Sequence, residues 1–212
     1  MSKQRNGDSM RSLYRDWMVS IFKRMVNRPE NISRTNALLW GVAWLIIGAI
    51  AAWYFRFMPT SMFGYTTSGY VPLIWHVVIM LVVWMSLGVV YFAFGVMRNR
   101  RAGMVDIFGR MLYAHLPVTL LLVPGIIMNR VAYATFMSDA TVAFKLYPLQ
   151  SIVVALFAVV IVVWTLYWGY LAFRRATESR GVLTLLCYII ATPLATYLSQ
   201  IVLEALRRGM SW

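Results

Sequence analysis

The sequence predicts an all-α polytopic membrane protein, with five transmembrane helices and an N-terminal amphipathic helix. Three observations predict it. Of the 212 residues, 61% are hydrophobic, against about 45–50% in soluble domains. Only 13% are charged, roughly half the usual fraction. The apolar residues are also gathered into five long runs that carry almost no charge. A soluble domain of this length could not hide so much apolar surface, whereas hydrocarbon accepts it.

The first element is a basic cytoplasmic arm over residues 1–35. Met10, Leu13, Tyr14, Trp17, Met18, Ile21, Phe22, Met25 and Val26 recur at steps that place them on one helical face. Arg11, Arg15, Lys23 and Arg24 fill the rest of that surface, and Ser9 suits the N-cap. A cationic amphipathic helix of this kind lies in the membrane interface. Packing on the protein's own loops is the competing reading. Each basic residue near an anionic leaflet contributes roughly 1 kcal/mol, which favours the interface. Asn27 and Pro29 end the helix. No small-residue cleavage site follows at signal-peptide length, so the first span is expected to remain as an anchor.

A transmembrane domain over residues 36–206 comes next, with spans at about 36–56, 71–97, 105–128, 149–173 and 182–206. A span needs about 20 apolar residues at 1.5 Å rise, and each run meets that length. Pro72 and Pro148 sit at the starts of the second and fourth runs, where a missing N–H is harmless. Alternating polarity, the mark of a membrane barrel, is absent from these runs. Residues 130–148, with Tyr133, Phe136, Phe144 and Tyr147, form a mildly amphipathic stretch suited to the outer interface. Residues 207–212 are a short tail.

Charge sets the threading. Fifteen of the 20 Lys and Arg residues fall in the arm and the two loops after spans two and four; five fall on the other side. Basic loops stay in the cytoplasm, so the N-terminus is expected inside and the C-terminus outside. Trp40, Trp53, Tyr54, Trp75, Trp164 and Trp168 lie toward span ends, where aromatic rings anchor at the lipid boundary. Nucleic-acid binding is not expected, because no recognition motif accompanies the basic residues.

Catalytic signatures are missing: no phosphate-cradling glycine loop, no metal-spaced His or Cys set, no nucleophile elbow. The chain is read as a non-enzyme without cofactor or metal. Its seven acidic residues lie in arms, loops or span ends. A proton-driven pump usually buries a carboxylate at mid-membrane, which argues against that class. His76 falls near the outer end of the second span. His115 lies about 14 Å beyond Asp106, well into the third. Each is read as a histidine bonded to a neighbouring helix. Cys187, the single cysteine, is a small packing residue within an apolar run.

The third span holds Pro117 and the pair Pro124 and Gly125, which mark a helix kink. Broken helices line substrate sites in transporters. A kink stabilised by its neighbours is preferred here, with Thr119 able to serve the carbonyls that the prolines free. Pro193, flanked by Thr192 and Thr196, is read in the same way. Gly41 and Gly48 on the first span, and Gly88 and Gly95 on the second, keep to one side of each helix. They offer faces for close approach, for internal packing before oligomer contact.

Some segments resemble the bacterial branch of the Yip1-domain family. The arm ending Val26-Asn27-Arg28-Pro29 before the first span resembles the start of such proteins. Residues 108–117, from Phe108 to Pro117, resemble the family's third span, and residues 164–185 its last hairpin. The resemblance implies a five-span, non-enzymatic protein with a cytoplasmic N-terminus. Eukaryotic members act in vesicle traffic, bind prenylated Rab-type GTPases and associate with related membrane proteins. Their acidic Asp-Leu-Tyr-Gly-Pro-like segment before the first span is missing here, which argues against a GTPase partner. The short basic arm favours a prokaryotic inner (cytoplasmic) membrane. The expected role is a membrane-organising or scaffold protein. Its expected partners are the lipid bilayer and other membrane proteins or a homo-oligomer. The rival role is a small transporter or channel lined by the third span.

Overall fold

The structure, a computed structural model, describes residues 32–127 and 130–209. The arm with Arg11, Arg15, Lys23 and Arg24 lies outside the described residues. Helix α1 is Arg34–Tyr54, followed by strands β1 (Phe57–Ser61) and β2 (Gly64–Thr67) and helix α2 (Leu73–Arg98). Helix α3 is Met104–Ala114; a 3-10 helix, Leu116–Leu121, and α4, Leu122–Ile127, continue it. Helices α5 (Arg130–Ser138), α6 (Ala140–Leu146), α7 (Pro148–Ala176) and α8 (Val182–Gly209) complete the chain.

Among the described residues, five segments are long and apolar enough to cross a membrane: α1, α2, the composite Met104–Pro124, α7 and most of α8. The chain is a multi-pass helical membrane protein. Local chemistry sets several ends. The Ser33 hydroxyl accepts from Asn36 N at 3.3 Å and starts α1 two residues before the apolar run does. Pro72 occupies the N-cap of α2 rather than its first turn. Asn99 turns to extended backbone after Arg98, and its side-chain amide donates to the Thr177 carbonyl at 3.1 Å, joining the ends of α2 and α7.

The third span is the centre of the bundle. Its most apolar window is 72% buried, against 22–33% for the other four. Helices α1, α2 and α7 pack around it, and α8 packs mainly on α2. Close approach is possible because small residues line the seams. A Cβ on Gly41 would lie 2.8 Å from Leu112 Cγ, and one on Gly48 would lie 2.9 Å from Thr119 Cγ2. A Cβ on Gly88 would overlap the Phe108 ring, and one on Gly95 would come within 2.5 Å of Ile107 Cδ1. Both glycine faces therefore serve the third span internally. Opposite them, Leu39, Ile47, Leu156, Val160, Leu183 and Ile190 are exposed on the outer faces, where lipid contacts such side chains.

The start of the third span carries an ion pair between half-buried Asp106 and buried Arg110. Arg110 Nε lies 2.8 Å from Asp106 Oδ1, and Arg110 Nη1 donates to the Ile32 carbonyl at 2.9 Å. An arginine counted as a loop cation in the sequence is thus part of the packed helix, 6% exposed. It ties the start of α3 to the segment that leads into α1.

The expectation of an all-α chain needs one correction. Residues 57–67 form an antiparallel hairpin, with Phe57 opposite Thr67 and Pro59 opposite Tyr65. Phe57, Met58, Met62 and Tyr65 are buried. The hairpin turns back into the bundle: Thr196 Oγ1 of α8 lies 3.7 Å from Met62 Sδ, and Arg207 reaches the Pro59 carbonyl at 3.4 Å. A strand pair is possible here because packing against helices supplies the burial that an isolated hairpin lacks.

The 130–148 stretch also differs from a purely interfacial one. Val131, Val142, Phe144 and Leu146 are exposed, but Tyr133 is buried, edge-on to Phe57 at 5.1 Å between centroids. Its hydroxyl donates to the Leu121 carbonyl at 2.7 Å. Asp139 starts α6 by accepting from Val142 N at 3.1 Å.

Candidate functional site

The break in the third span is one place where polar groups gather between the helices. Pro117 has no N–H to donate, and the chain tightens after His115 into 3-10 winding over Leu116–Leu121. Hydrogen bonds are poorer in that winding, and side chains supplement them. Trp44 Nε1 of α1 donates to the Leu116 carbonyl at 3.1 Å and to Thr119 Oγ1 at 2.6 Å. Thr119 Oγ1 donates in turn to the Leu116 carbonyl at 2.8 Å. Tyr133 serves Leu121 from the other side. Pro117 and Pro124 are both buried, and Gly125 follows within α4.

His115 sits at the break itself. Its Nδ1 lies 2.5 Å from the Met111 carbonyl, so the proton belongs on Nδ1 and Nε2 is an acceptor. That Nε2 is buried with no hydrogen-bond partner among the described residues. His76 makes the same bond, Nδ1 to the Pro72 carbonyl at 3.3 Å, and its Nε2 is likewise buried and unpartnered. Each histidine therefore bonds within its own helix, four residues back, instead of to a neighbouring one. Among the described residues no group of three or more His, Cys, Asp or Glu side chains could hold a metal ion.

Beside the break lies a cavity of about 80 Å³. Trp44, Met80, Trp84 and His115 line it from three spans, and Met62 and Tyr65 close it from the hairpin. Burial pushes the Tyr65 and Tyr133 hydroxyls well above the usual phenol range, with Tyr133 raising Tyr65 further. Both stay protonated, and Tyr133 acts as a neutral donor to Leu121. Ligand pockets for small molecules run to about 300–1,000 Å³. The cavity is far smaller, room for a few waters or one small apolar group. It offers no nucleophile paired with a base.

A second polar cluster adjoins the break, where the Tyr91 ring lies 6.3 Å from the His115 ring. Thr192 Oγ1 donates to the Tyr188 carbonyl at 2.9 Å, so the Tyr91 hydroxyl donates to Thr192 Oγ1 at 2.8 Å. The Tyr91 and Tyr188 rings stack at 5.7 Å, with Phe173 tilted 6.0 Å from Tyr91. Four spans meet there: α2, the third span, α7 and α8. The Tyr188 hydroxyl lies buried against Gly169.

Sequence reasoning placed Pro117, Pro124, Gly125 and Thr119 in one span but missed Trp44, the hairpin and the burial of Arg110. Trp44 carried a signal: an indole N–H in mid-span needs an acceptor. So did the hairpin, where Tyr65, Thr66 and Thr67 follow Gly64. No family model, curated protein or solved structure matches the chain.

Proposed function

We propose that this protein is a non-enzymatic membrane-organising scaffold of the Yip1-like type, acting through the lipid-facing surfaces of its helices. It sits in a bacterial inner membrane with its N-terminus in the cytoplasm. The observation that carries this reading is the enclosed third span. Four glycines from α1 and α2 close on Leu112, Thr119, Phe108 and Ile107, so the centre of the bundle is filled by side chains. A packed centre leaves little room for a substrate path. The broad apolar outer faces of α1, α7 and α8 remain for lipid and for other membrane proteins. The polar groups at the break act on the protein's own carbonyls, in keeping with a structural kink.

The test places a photoreactive residue at Val160 or Val163 on the exposed face of α7, crosslinks in native membranes and identifies the products. Discrete protein adducts from these positions, and none from buried Thr165, are the expected result. Substrate-dependent flux in liposomes that Pro117→Ala abolishes would overturn the reading and favour a transporter.

A further inference from the structure

We propose that the cleft between the end of α1 and the start of α2 binds a phosphate oxyanion presented by a membrane phospholipid, with Arg56 holding the anion. The cleft has a volume of about 160 Å³, twice that of the cavity at the break, and Trp53, Tyr54, Arg56, Gly69, Tyr70 and Val71 line it. No carboxylate is among them.

Arg56 is an unusual residue for its place. Its φ is +57°, in the left-handed region. It directly follows Phe55, the C-cap of α1, a position that glycine normally takes because a Cβ is strained there. The backbone needs that conformation. Arg56 N donates to the Trp53 carbonyl at 3.1 Å and Ser68 N donates to the Arg56 carbonyl at 2.8 Å, which turns the chain from α1 into the hairpin. Glycine would make the same turn with less strain. The chain instead carries an exposed guanidinium that has no ion pair or hydrogen bond from its side chain among the described residues.

The surroundings suit a lipid headgroup. Tyr54 and Tyr70 are 70% and 83% exposed at the ends of two adjoining spans, the depth at which aromatic rings meet headgroups. A guanidinium fork matches two phosphate oxygens, and the two phenols can donate to others. The site requires only that α1 and α2 cross a membrane. It holds whether or not the protein is a scaffold.

The test uses the full chain in a neutral detergent, with bound lipid counted by native mass spectrometry. Dioctanoylphosphatidylglycerol, dioctanoylglycerol and inorganic phosphate are the three probes. One phosphatidylglycerol is expected per chain, with no retention of the uncharged diacylglycerol. Arg56→Gly is expected to weaken binding roughly tenfold or more, the scale of a charge-assisted contact. The same variant should melt no lower than the parent, since it relieves the backbone; loss of lipid then cannot be loss of fold. Arg56→Lys should bind at an intermediate level. Arg208→Gln, which removes an exposed charge already paired with Glu204, should bind as the parent does. Inorganic phosphate displacing the lipid at millimolar concentration would support the anion site and name free phosphate as its source. Unchanged binding in Arg56→Gly, or an equal loss in Arg208→Gln, would overturn the proposal.

Discussion

The indole nitrogen of Trp44 lies 3.1 Å from the Leu116 carbonyl, so the first span donates a hydrogen bond into the break of the third. Thr119 accepts from the same nitrogen at 2.6 Å and completes a three-membered polar contact between two spans. Inter-helical bonds of this kind average about 0.6 kcal/mol in membranes and reach about 1.7. Trp44→Phe should therefore lower stability by about 1 kcal/mol and Thr119→Val by a similar amount. The double variant should lose less than their sum, because the two share one interaction. Reversible unfolding in detergent measures all three; strict additivity would show that the contact is not shared.

Gly88 is the tightest of the seams against the third span, directly over the Phe108 ring. Gly88→Ala forces that ring aside, and Phe108 is also held edge-on to Trp84 at 5.5 Å. Overpacking of this kind costs about 1–3 kcal/mol. A thermal melt of Gly88→Ala unchanged from the parent would contradict the packing.

Tyr188 and Gly169 make a more discriminating pair. The Tyr188 hydroxyl is buried beside the Tyr91 and Thr192 hydroxyls and lies where a Gly169 side chain would go. Tyr188→Phe should cost no more than about 1 kcal/mol, since the hydroxyl it removes has only the Tyr91 and Thr192 hydroxyls beside it. Gly169→Ala should destabilise the parent and be rescued in the Tyr188→Phe background. Absence of rescue would mean that the hydroxyl is not the obstacle.

Half-buried Asp106 pairs with buried Arg110 at the start of α3. Removing Asp106 leaves Arg110 the Ile32 carbonyl but takes away its counter-charge, whereas replacing both members of a pair can be nearly neutral. Asp106→Asn should cost about 1–3 kcal/mol. The double variant Asp106→Asn with Arg110→Met should recover part of that loss. Chemical denaturation of the two variants decides the matter, and equal losses would rule out a stranded charge.

Sidedness is open to a direct check. In a Cys187→Ser background, single cysteines at Ser179 and Gly69 should label from opposite sides of the intact membrane, Ser179 from the cytoplasm. Labelling of both from one side would remove the proposed threading.

The sequence by itself determined the class, because 20-residue apolar runs have one stable surrounding and one stable backbone form in lipid. Charges, prolines and caps in the sequence also mark ends of the long apolar helices. The sequence further showed which face of α1 and α2 is small, through the seven-residue steps of Gly41, Gly48, Gly88 and Gly95. Which helix those faces meet was decided only by the tertiary structure, because periodicity names a face but not its neighbour. The same holds for the hairpin, whose Phe57, Met62 and Tyr65 are buried by α5 and α8, elements more than 60 residues away in the chain. Trp44, Leu116 and Arg56 gain their roles likewise: acceptors and clefts arise from elements that folding brings together, and no local pattern encodes that meeting.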